Sequence, residues 1–386
     1  MKIGLICPYN MSRGGAVIEI VKDMQVGLSK RGHTVKIITG RPKDVSGLDL
    51  SHMLFAGKVT DFRSPTHTLA SFTTNYDNEA VGEMLQAERF DILHFHEPGI
   101  PVIGKQLLDH STSVNVATFH AKLPETLMSQ TVAKVVTPYL RGILKDLDEL
   151  TVGSEAAADY VRTLTDRPLH YIPNGVDLET FRPVKRTAPG ARKKILFVGR
   201  LEYRKGVKYL LDAFALLSRG RDDVELIIAG SGPDHTKLEA QAAELGLHGV
   251  TFLGFVDNAT KLRLLAEADL FCSPAMFGES FGLVLLEAMA TGLVTVAGNN
   301  PGYAGVMQGK GALSLVDPYD ARDFARRLEL LLDNEPLRDL WRTWGLEYVK
   351  QFDYRGIMAQ YEAQYEQALK DHGHKRSRTQ AHSLVP

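Results

Sequence analysis

From Ser273 to Gly292 the chain reads Ser-Pro-Ala-Met-Phe-Gly-Glu-Ser-Phe-Gly-Leu-Val-Leu-Leu-Glu-Ala-Met-Ala-Thr-Gly. Few folds accommodate that order. Ala268 to Pro274 reads as a short buried strand ended by proline, and Gly282 to Ala290 as an apolar helix stopped by Gly292. Between them lies a turn with Gly278 and Gly282. A strand, a glycine turn and a helix N-terminus together make an anion site, because unbonded N–H groups and the helix dipole point the same way. The turn also carries Glu279 and the helix Glu287, which a helical interval separates by roughly 12 Å. That distance matches the reach from a sugar across a diphosphate to a ribose. Carboxylates grip vicinal diols because each oxygen accepts hydrogen bonds. A nucleotide sugar has both halves. The plainer reading makes Glu279 a helix cap and Glu287 a solvated residue. The apolar company of Glu287 (Val284, Leu285, Leu286, Ala288, Met289, Ala290) weighs against the second part.

The same strand–turn–helix order recurs along the chain. Lys2 to Pro8 reads as a buried strand, followed by Arg13-Gly14-Gly15, a helix from Ala16 to Lys30 and a strand from Val35 to Thr39. This is a βαβ pattern and predicts a parallel sheet. Further strands are expected at Phe90–His96, Asn115–His120, Glu149–Ser154 and Leu169–Pro173, with residues 41 to 80 irregular. A basic segment with Pro and Gly, Phe181 to Lys194, reads as an interdomain linker. After it the pattern restarts at Ile195–Gly199 and continues through strands at Val224, Val250, Leu270 and Val294. The fold class expected is therefore α/β, with two Rossmann-like doubly wound parallel-sheet domains facing a central cleft. Their bounds are 1–178, completed by a C-terminal helix over about 355–370, and 190–353. Residues 371–386 are polar and expected to be a disordered tail.

At 386 residues the chain has room for two domains, and its formal net charge of -1 gives no field that would favour nucleic acid. Its two cysteines, Cys7 and Cys272, sit inside apolar runs, which suits buried thiols in a reducing compartment and excludes a cysteine metal cluster. The N-terminus enters a strand directly, without the pattern of a secretion signal. A cytoplasmic protein is expected, one that can work at the inner face of the cell membrane.

Ile195 to Gly206 places Arg200, Arg204 and Lys205 directly after a strand, where a loop faces ligand. Arginine binds phosphate through two parallel hydrogen bonds and lysine adds a point charge. A solvated basic loop is the alternative. Position after the strand and before Gly206 favours ligand binding, with Arg200 and Lys205 ahead of Arg204.

Three stretches, Gly199-Arg200 to Lys205-Gly206, Gly230-Ser-Gly-Pro233 and Glu279 to Glu287, resemble the retaining glycosyltransferases of the GT-B fold, family 4 (group 1). Cys7-Pro-Tyr9, Leu93-His-Phe-His-Glu-Pro98, Ala117-Thr-Phe-His120 and Ile172-Pro-Asn-Gly-Val-Asp177 resemble the phosphatidylinositol mannosyltransferases within it. The resemblance implies that Arg200 and Lys205 hold the donor diphosphate, that Glu279 holds the transferring sugar and that Glu287 binds the ribose. Gly230, Phe281 and Gly282 belong to the same donor site. Gly15 lets backbone approach the phosphates, His120 lies beside the reacting sugar, and Tyr9 lies near the acceptor. His120, Glu279, Arg200 and Lys205 are thus the candidate catalytic set. The implied donor is a nucleotide sugar, GDP-mannose first and a UDP-sugar as the alternative. The implied acceptor is a lipid such as phosphatidylinositol, or otherwise a soluble glycan. Peripheral membrane contact is implied, and no metal or other cofactor is required. A binding protein without turnover is the reading from another class; intact Glu279, Glu287, Arg200 and Lys205 argue against it.

Three signals are set aside. Asp146-Leu-Asp148 matches a metal-binding pattern but precedes a strand and reads as a helix end. His94 and His96 share one strand face, with no third metal ligand in view. Gly230-Ser-Gly232 lacks the third glycine of a dinucleotide fingerprint. The chain also departs from the mannosyltransferases. Val17 and Glu19 follow the first glycines where those enzymes carry a polar residue and a histidine, and Ser64 to Asn78 holds few basic residues for anionic lipid.

Overall fold

The computed structural model describes residues 1–382 apart from 14, 64–68, 75–76, 101, 121–129 and 184–191. The chain divides into two compact units, Met1–Asn174 with Arg355–Pro386, and Gly175–Tyr354. The division falls at Asn174, ahead of the basic segment that reads as a linker; residues 184–191 of that segment lie outside the described residues.

The first unit is built on strands β1 (Lys2–Ile6), β2 (Thr34–Arg41), β3 (Met53–Arg63), β4 (Leu69–Thr74), β5 (Ile92–His96), β6 (Val114–Phe119), β7 (Glu149–Val152) and β8 (His170–Tyr171). They lie in the order β4-β3-β2-β1-β5-β6-β7-β8. Every neighbouring pair is parallel except β3 with β4. The second unit holds β9 (Lys193–Val198), β10 (Val224–Ala229), β11 (Val250–Gly254), β12 (Leu270–Ser273), β13 (Val294–Gly298) and β14 (Leu315–Val316), ordered β11-β10-β9-β12-β13-β14 and parallel throughout. Helices connect most of the parallel-paired strands, with β2 passing to β3 through a longer segment of turns. Each unit has its own core. One gathers Phe95, Leu107, Phe119 and Leu150; the other gathers Phe197, Leu210, Phe271 and Leu286. Cys7, directly after β1, and Cys272, in β12, are buried free thiols, and burial pushes the Cys7 thiol up to about 12.

The strand order matters for function. Both sheets are wound outward in two directions from their first strand. The reversal lies between β1 and β5 in the first unit and between β9 and β12 in the second. At such a point the loops leaving two adjacent strands diverge and open a crevice at their C-terminal ends. The segments that leave there are Cys7–Gly15 and Glu97–Pro98 in one unit, and Gly199–Gly206 and Pro274–Gly282 in the other.

The structure corrects the sequence reading in two places. Residues 41 to 80, expected to be irregular, contain β3, β4 and the start of the helix Asn78–Glu88, which Asp77 caps through the backbone N–H groups of Glu79 and Ala80. In the sequence of β3, Gly57, Lys58 and Asp61 interrupt the apolar run that would have marked a strand. The final helix runs from Tyr354 to His382, through most of the segment expected to be disordered.

Candidate active site

In the second unit the loop after β9 and the loop after β12 are tied together by the Met276 N–H, which donates to the Arg204 carbonyl at 2.9 Å. Their side chains form a continuous ionic chain. Arg200 pairs with Glu202 at 2.9 Å, and the other oxygen of Glu202 accepts from Arg204 Nε at 3.0 Å. Arg204 Nη1 reaches Glu279 Oε1 at 2.5 Å, and Lys205 Nζ meets the same oxygen at 2.7 Å. Three of the sequence candidates, Arg200, Lys205 and Glu279, are therefore brought into one cluster. Arg200 is the outermost, with 52% of its side chain exposed against 15% for Lys205.

The cluster contains two residues that the sequence did not single out as leading members. Arg204 ranked behind its neighbours, yet it alone touches both acids and also donates to the Gly278 carbonyl at 3.2 Å. Glu202, buried between two guanidinium groups, was missed; its position two residues after Arg200 was the only signal. Tyr303 lies beneath the site, fully buried, with its hydroxyl 2.9 Å from Ser273 Oγ; burial and the nearby Glu279 charge hold its phenol well above the usual range.

Glu287 stands apart from this cluster, on the helix Leu283–Ala290, and pairs with Lys261 at 2.9 Å. Lys261 lies over the Phe181 ring at 5.0 Å. It stands 26 residues before Glu287 on another helix, so no local pattern could have linked them. Gly282 caps the Leu283–Ala290 helix in a left-handed conformation, φ 102°, with no side-chain cap hydrogen bond.

Phe281 and Gly230 are both built into the packing of the unit. The Phe281 side chain is 8% exposed and packs edge-on against Phe352, ring centroids 5.7 Å apart, so its ring belongs to the core. Gly230 serves loop packing, because a Cβ there would stand 1.8 Å from the Gly199 carbonyl oxygen. Gly302, which the sequence reading did not single out, has the same constraint. Its Cβ would stand 2.1 Å from the carbonyl oxygen of Glu279, so a side chain there would displace the acid itself.

In the first unit the candidates gather at the ends of β1, β5 and β6. Glu97, directly after β5, has φ 51°, a left-handed conformation uncommon outside glycine. Its carboxylate accepts the His120 backbone N–H at 2.7 Å. The Glu97 charge and, first, burial raise the Tyr9 phenol well above its usual range. The His120 ring meets His96 at 2.8 Å between Nε2 and Nδ1, and His96 stacks on His94 at 4.3 Å. His94 bonds Tyr365 at 2.6 Å and Thr118 at 2.7 Å. Burial lowers all three imidazoles, His94 to about 3 and His120 to about 4, so they are neutral near pH 7. Gly15 caps the helix Ala16–Lys30 with extended backbone, φ 171°, and a Cβ there would meet Ile18 at an ordinary 3.5 Å. Among the described residues nothing requires glycine at that position.

Among the described residues no group of three His, Cys, Asp or Glu side chains is clustered to hold a metal, and no helix is long and apolar enough to cross a membrane. Asp146 ends a helix, as expected, and Asp148 anchors β6 by accepting from the Asn115 N–H at 2.8 Å.

Comparison with known proteins bears on this geometry. Residues 18–180 match the model of Glycosyltransferase Family 4, and residues 179–345 that of Glycosyl transferases group 1. The phosphatidyl-myo-inositol mannosyltransferase of Mycobacterium tuberculosis H37Rv is 33% identical over 384 residues, covering 95% of this chain and 97% of its own. The alpha-monoglucosyldiacylglycerol synthase of Streptococcus pneumoniae is 26% identical over 321 residues, covering 78% of this chain and 72% of its own. In structure, sucrose-phosphate synthase from Thermosynechococcus elongatus superposes with a TM-score of 0.79 over 96% of this chain and 99% of its own, at 22% identity. Anabaena HepE in complex with UDP and glucose superposes at 0.76 over 95% and 100%, at 19% identity. With two parallel α/β units and matching family models in both halves, the chain belongs to glycosyltransferase family 4, the group 1 glycosyl transferases of GT-B fold, and is a glycosyltransferase.

Proposed function

We propose that the chain transfers mannose, with retention at the anomeric carbon, from GDP-mannose to a lipid acceptor such as phosphatidylinositol, and that it needs no metal to do so. One observation carries the donor half of this reading: Glu279 accepts from both Arg204 and Lys205, at 2.5 and 2.7 Å, where the second sheet reverses its strand order. Cations that share one carboxylate are held ready for an anion. The lipid half is supported by relatives whose names specify lipid acceptors, one of them matched along 95% of this chain.

In the proposed reaction the bond between the sugar's C1 and the β-phosphate oxygen breaks, and the acceptor hydroxyl attacks C1 from the same face. The leaving phosphate oxygen takes the acceptor's proton. Negative charge grows on the diphosphate as the bond lengthens. Arg200, Arg204 and Lys205, with the first turn of the Leu283–Ala290 helix, oppose it as fixed charges and dipoles, which costs no reorganisation at the moment of reaction. Glu279 accepts from the sugar hydroxyls and Glu287 from the ribose. His120, neutral, hydrogen-bonds the transferring sugar, Tyr9 lies on the acceptor side, and Gly15 lets the backbone approach the phosphates. The work is done on the cytoplasmic side, at the membrane surface that carries the acceptor.

Purified protein is screened by thermal shift against GDP-, UDP- and ADP-sugars, then assayed with the best donor and phosphatidylinositol vesicles. GDP-mannose at a hundred times its Kd stabilises the protein by about 2.7 kcal/mol. A shift with UDP-sugars alone rejects the donor, and transfer to soluble glycan but not to vesicles rejects the acceptor. EDTA leaves the rate unchanged; activity restored only by added Mg²⁺ or Mn²⁺ overturns the metal-free part.

A further inference from the structure

The charged row of the second unit holds its two arginines unequally. Arg204 donates from Nε to Glu202 at 3.0 Å, and from Nη1 to the Gly278 carbonyl at 3.2 Å and to Glu279 at 2.5 Å. Its Nη2 has no hydrogen-bond partner among the described residues and is not one of their buried unpaired atoms, so that nitrogen opens to solvent. Arg200 meets the other oxygen of Glu202, Oε1, at 2.9 Å but without hydrogen-bond alignment, and Oε1 is left buried with no hydrogen-bond partner. Arg200 is thus held by charge alone, whereas Arg204 is fixed at two of its three nitrogens.

Glu202 stands on anchored backbone. Its carbonyl accepts the Lys205 N–H at 2.9 Å. The preceding residue, Leu201, is bonded in both directions to the segment after β10: its N–H donates to the Ser231 carbonyl at 3.0 Å, and its carbonyl accepts the Asp234 N–H at 3.1 Å. A Cβ on Gly232 would stand 2.3 Å from that same carbonyl oxygen, so the two segments touch. Only 9% of the Glu202 side chain is exposed. A buried carboxylate oxygen without a donor costs folding free energy, and an apolar side chain in its place would not. Stability therefore does not explain the acid. Orientation does. A phosphate arriving at Arg204 competes with Glu279 for Nη1, and a guanidinium anchored by Glu279 alone would turn as that bond is exchanged. Glu202 grips the opposite, Nε side and leaves the Nη1–Nη2 edge to an anion, the edge that can give a phosphate two parallel bonds.

We propose that Glu202 is the positioning residue of the phosphate site: it locks Arg204 from the Nε side, so that Nη1 and Nη2 present a fixed pair of donors to the leaving phosphate while Glu279 turns to the sugar. The proposal rests on the reading of this cluster as the donor's diphosphate site and adds the group that keeps it aligned. Glu202 touches no substrate and acts through Arg204.

One arm of the test needs no activity. In wild-type protein labelled with ¹⁵N-arginine, the Nε–H of Arg204 exchanges with water at least about tenfold more slowly than that of Arg200, the protection a charge-assisted hydrogen bond gives. Spectra of Arg204→Lys and Arg200→Lys assign the two signals. Equal rates overturn the proposal, and this comparison stands even where a variant at Glu202 fails to fold. The kinetic arm compares Glu202→Leu with Glu202→Gln, each checked for an unchanged melting transition. Glu202→Leu lowers kcat about 10- to 100-fold, the cost of a misplaced contact to the reacting group. Its donor Kd stays within about threefold of the wild type, because Arg204 keeps its charge and a neighbouring negative charge is gone. Glu202→Gln keeps an oxygen that accepts from Arg204 Nε and recovers most of the lost kcat. Parallel losses of affinity and turnover, or equal losses in the two variants, reject the positioning role. In an Arg204→Met background Glu202→Leu costs no further turnover, and additive losses reject the role as well. If no nucleotide sugar binds the wild type, the donor reading falls, and the exchange comparison still decides whether Glu202 fixes Arg204.

Discussion

In the second unit the polar centre is a row of full charges, Arg200, Glu202, Arg204, Glu279 and Lys205, that runs from an exposed guanidinium inward to a mostly buried carboxylate. In the first unit it is three stacked imidazoles sealed against the last helix by Tyr361 and Tyr365 and kept neutral by burial. The charged row occupies the reversal point of its sheet, and the imidazoles lie beside that of theirs, on β5 and directly after β6. The strand order thus dictates where a site forms, and the side chains decide what it can do. Charges that keep solvent access can exchange a carboxylate partner for a phosphate. Buried neutral rings cannot neutralise a leaving group, but they fix hydrogen bonds with little freedom.

The largest effect expected from this difference is at Glu279. Glu279→Gln removes the charge shared by Arg204 and Lys205 but leaves both cations in place. Transfer falls by about 10²- to 10³-fold, the cost of removing one preorganised polar contact to the reacting group, while donor affinity by calorimetry stays within a few-fold. Parallel loss of affinity and turnover would make Glu279 a binding residue only. Arg204 and Arg200 sharpen the point. Arg204→Met weakens donor binding about 10- to 100-fold, as loss of a charge-assisted hydrogen bond does; the half-exposed Arg200→Met costs about 5-fold or less. The reverse ranking, read from donor Kd at fixed ionic strength, would restore the order that the sequence alone suggests.

Much of this was legible before any coordinates. The helix Ala16–Lys30 follows from its periodicity, and Arg200, Lys205 and Glu279 follow from a simple rule: loops after parallel strands face ligand. What could not be read is what depends on register. The facing of His96 and His120 follows from β5 pairing with β6, where His96 opposes Thr118 and so lies two residues from His120. No pattern within either strand encodes that. Lys261 became the partner of Glu287 only through helix packing. Gly302 looks like an ordinary residue near a helix start until the carbonyl of Glu279 is found against its Cα.

The histidine centre predicts a pH dependence that the charged centre does not share. Folding holds His120 at about 4 and His94 at about 3, below the 6.5 of an exposed imidazole. The unfolded chain therefore binds more protons than the folded one once pH falls below about 6.5. The stability contributed by burying these rings neutral is complete above that pH. It is lost progressively as pH falls toward 4, at up to about 1.4 kcal/mol per pH unit for each ring. Urea melts of the wild type and of His94→Phe between pH 7 and 5, above most carboxylate titrations, measure it. The variant should show a shallower decline, and identical slopes would mean that the rings are not held neutral.

The smallest stability effect separates the two units by their glycines. Gly302→Ala in the second unit drives a Cβ to 2.1 Å from the Glu279 carbonyl oxygen, and backbone must move; a loss of about 1–3 kcal/mol is expected, with activity falling as Glu279 shifts. Gly15→Ala in the first unit meets only Ile18 at 3.5 Å, on extended backbone that alanine adopts freely. Its melting transition should move by no more than about 0.5 kcal/mol, since the few tenths lost at a helix cap are offset by reduced freedom in the unfolded chain. Any effect on donor KM then reports the ligand and not the fold. A rise of about tenfold, with kcat for the bound donor retained, places the phosphates against the Gly15 backbone, where an added methyl would stand in their way. An unchanged KM leaves Gly15 as a helix cap alone and puts all phosphate recognition on the charged centre of the second unit.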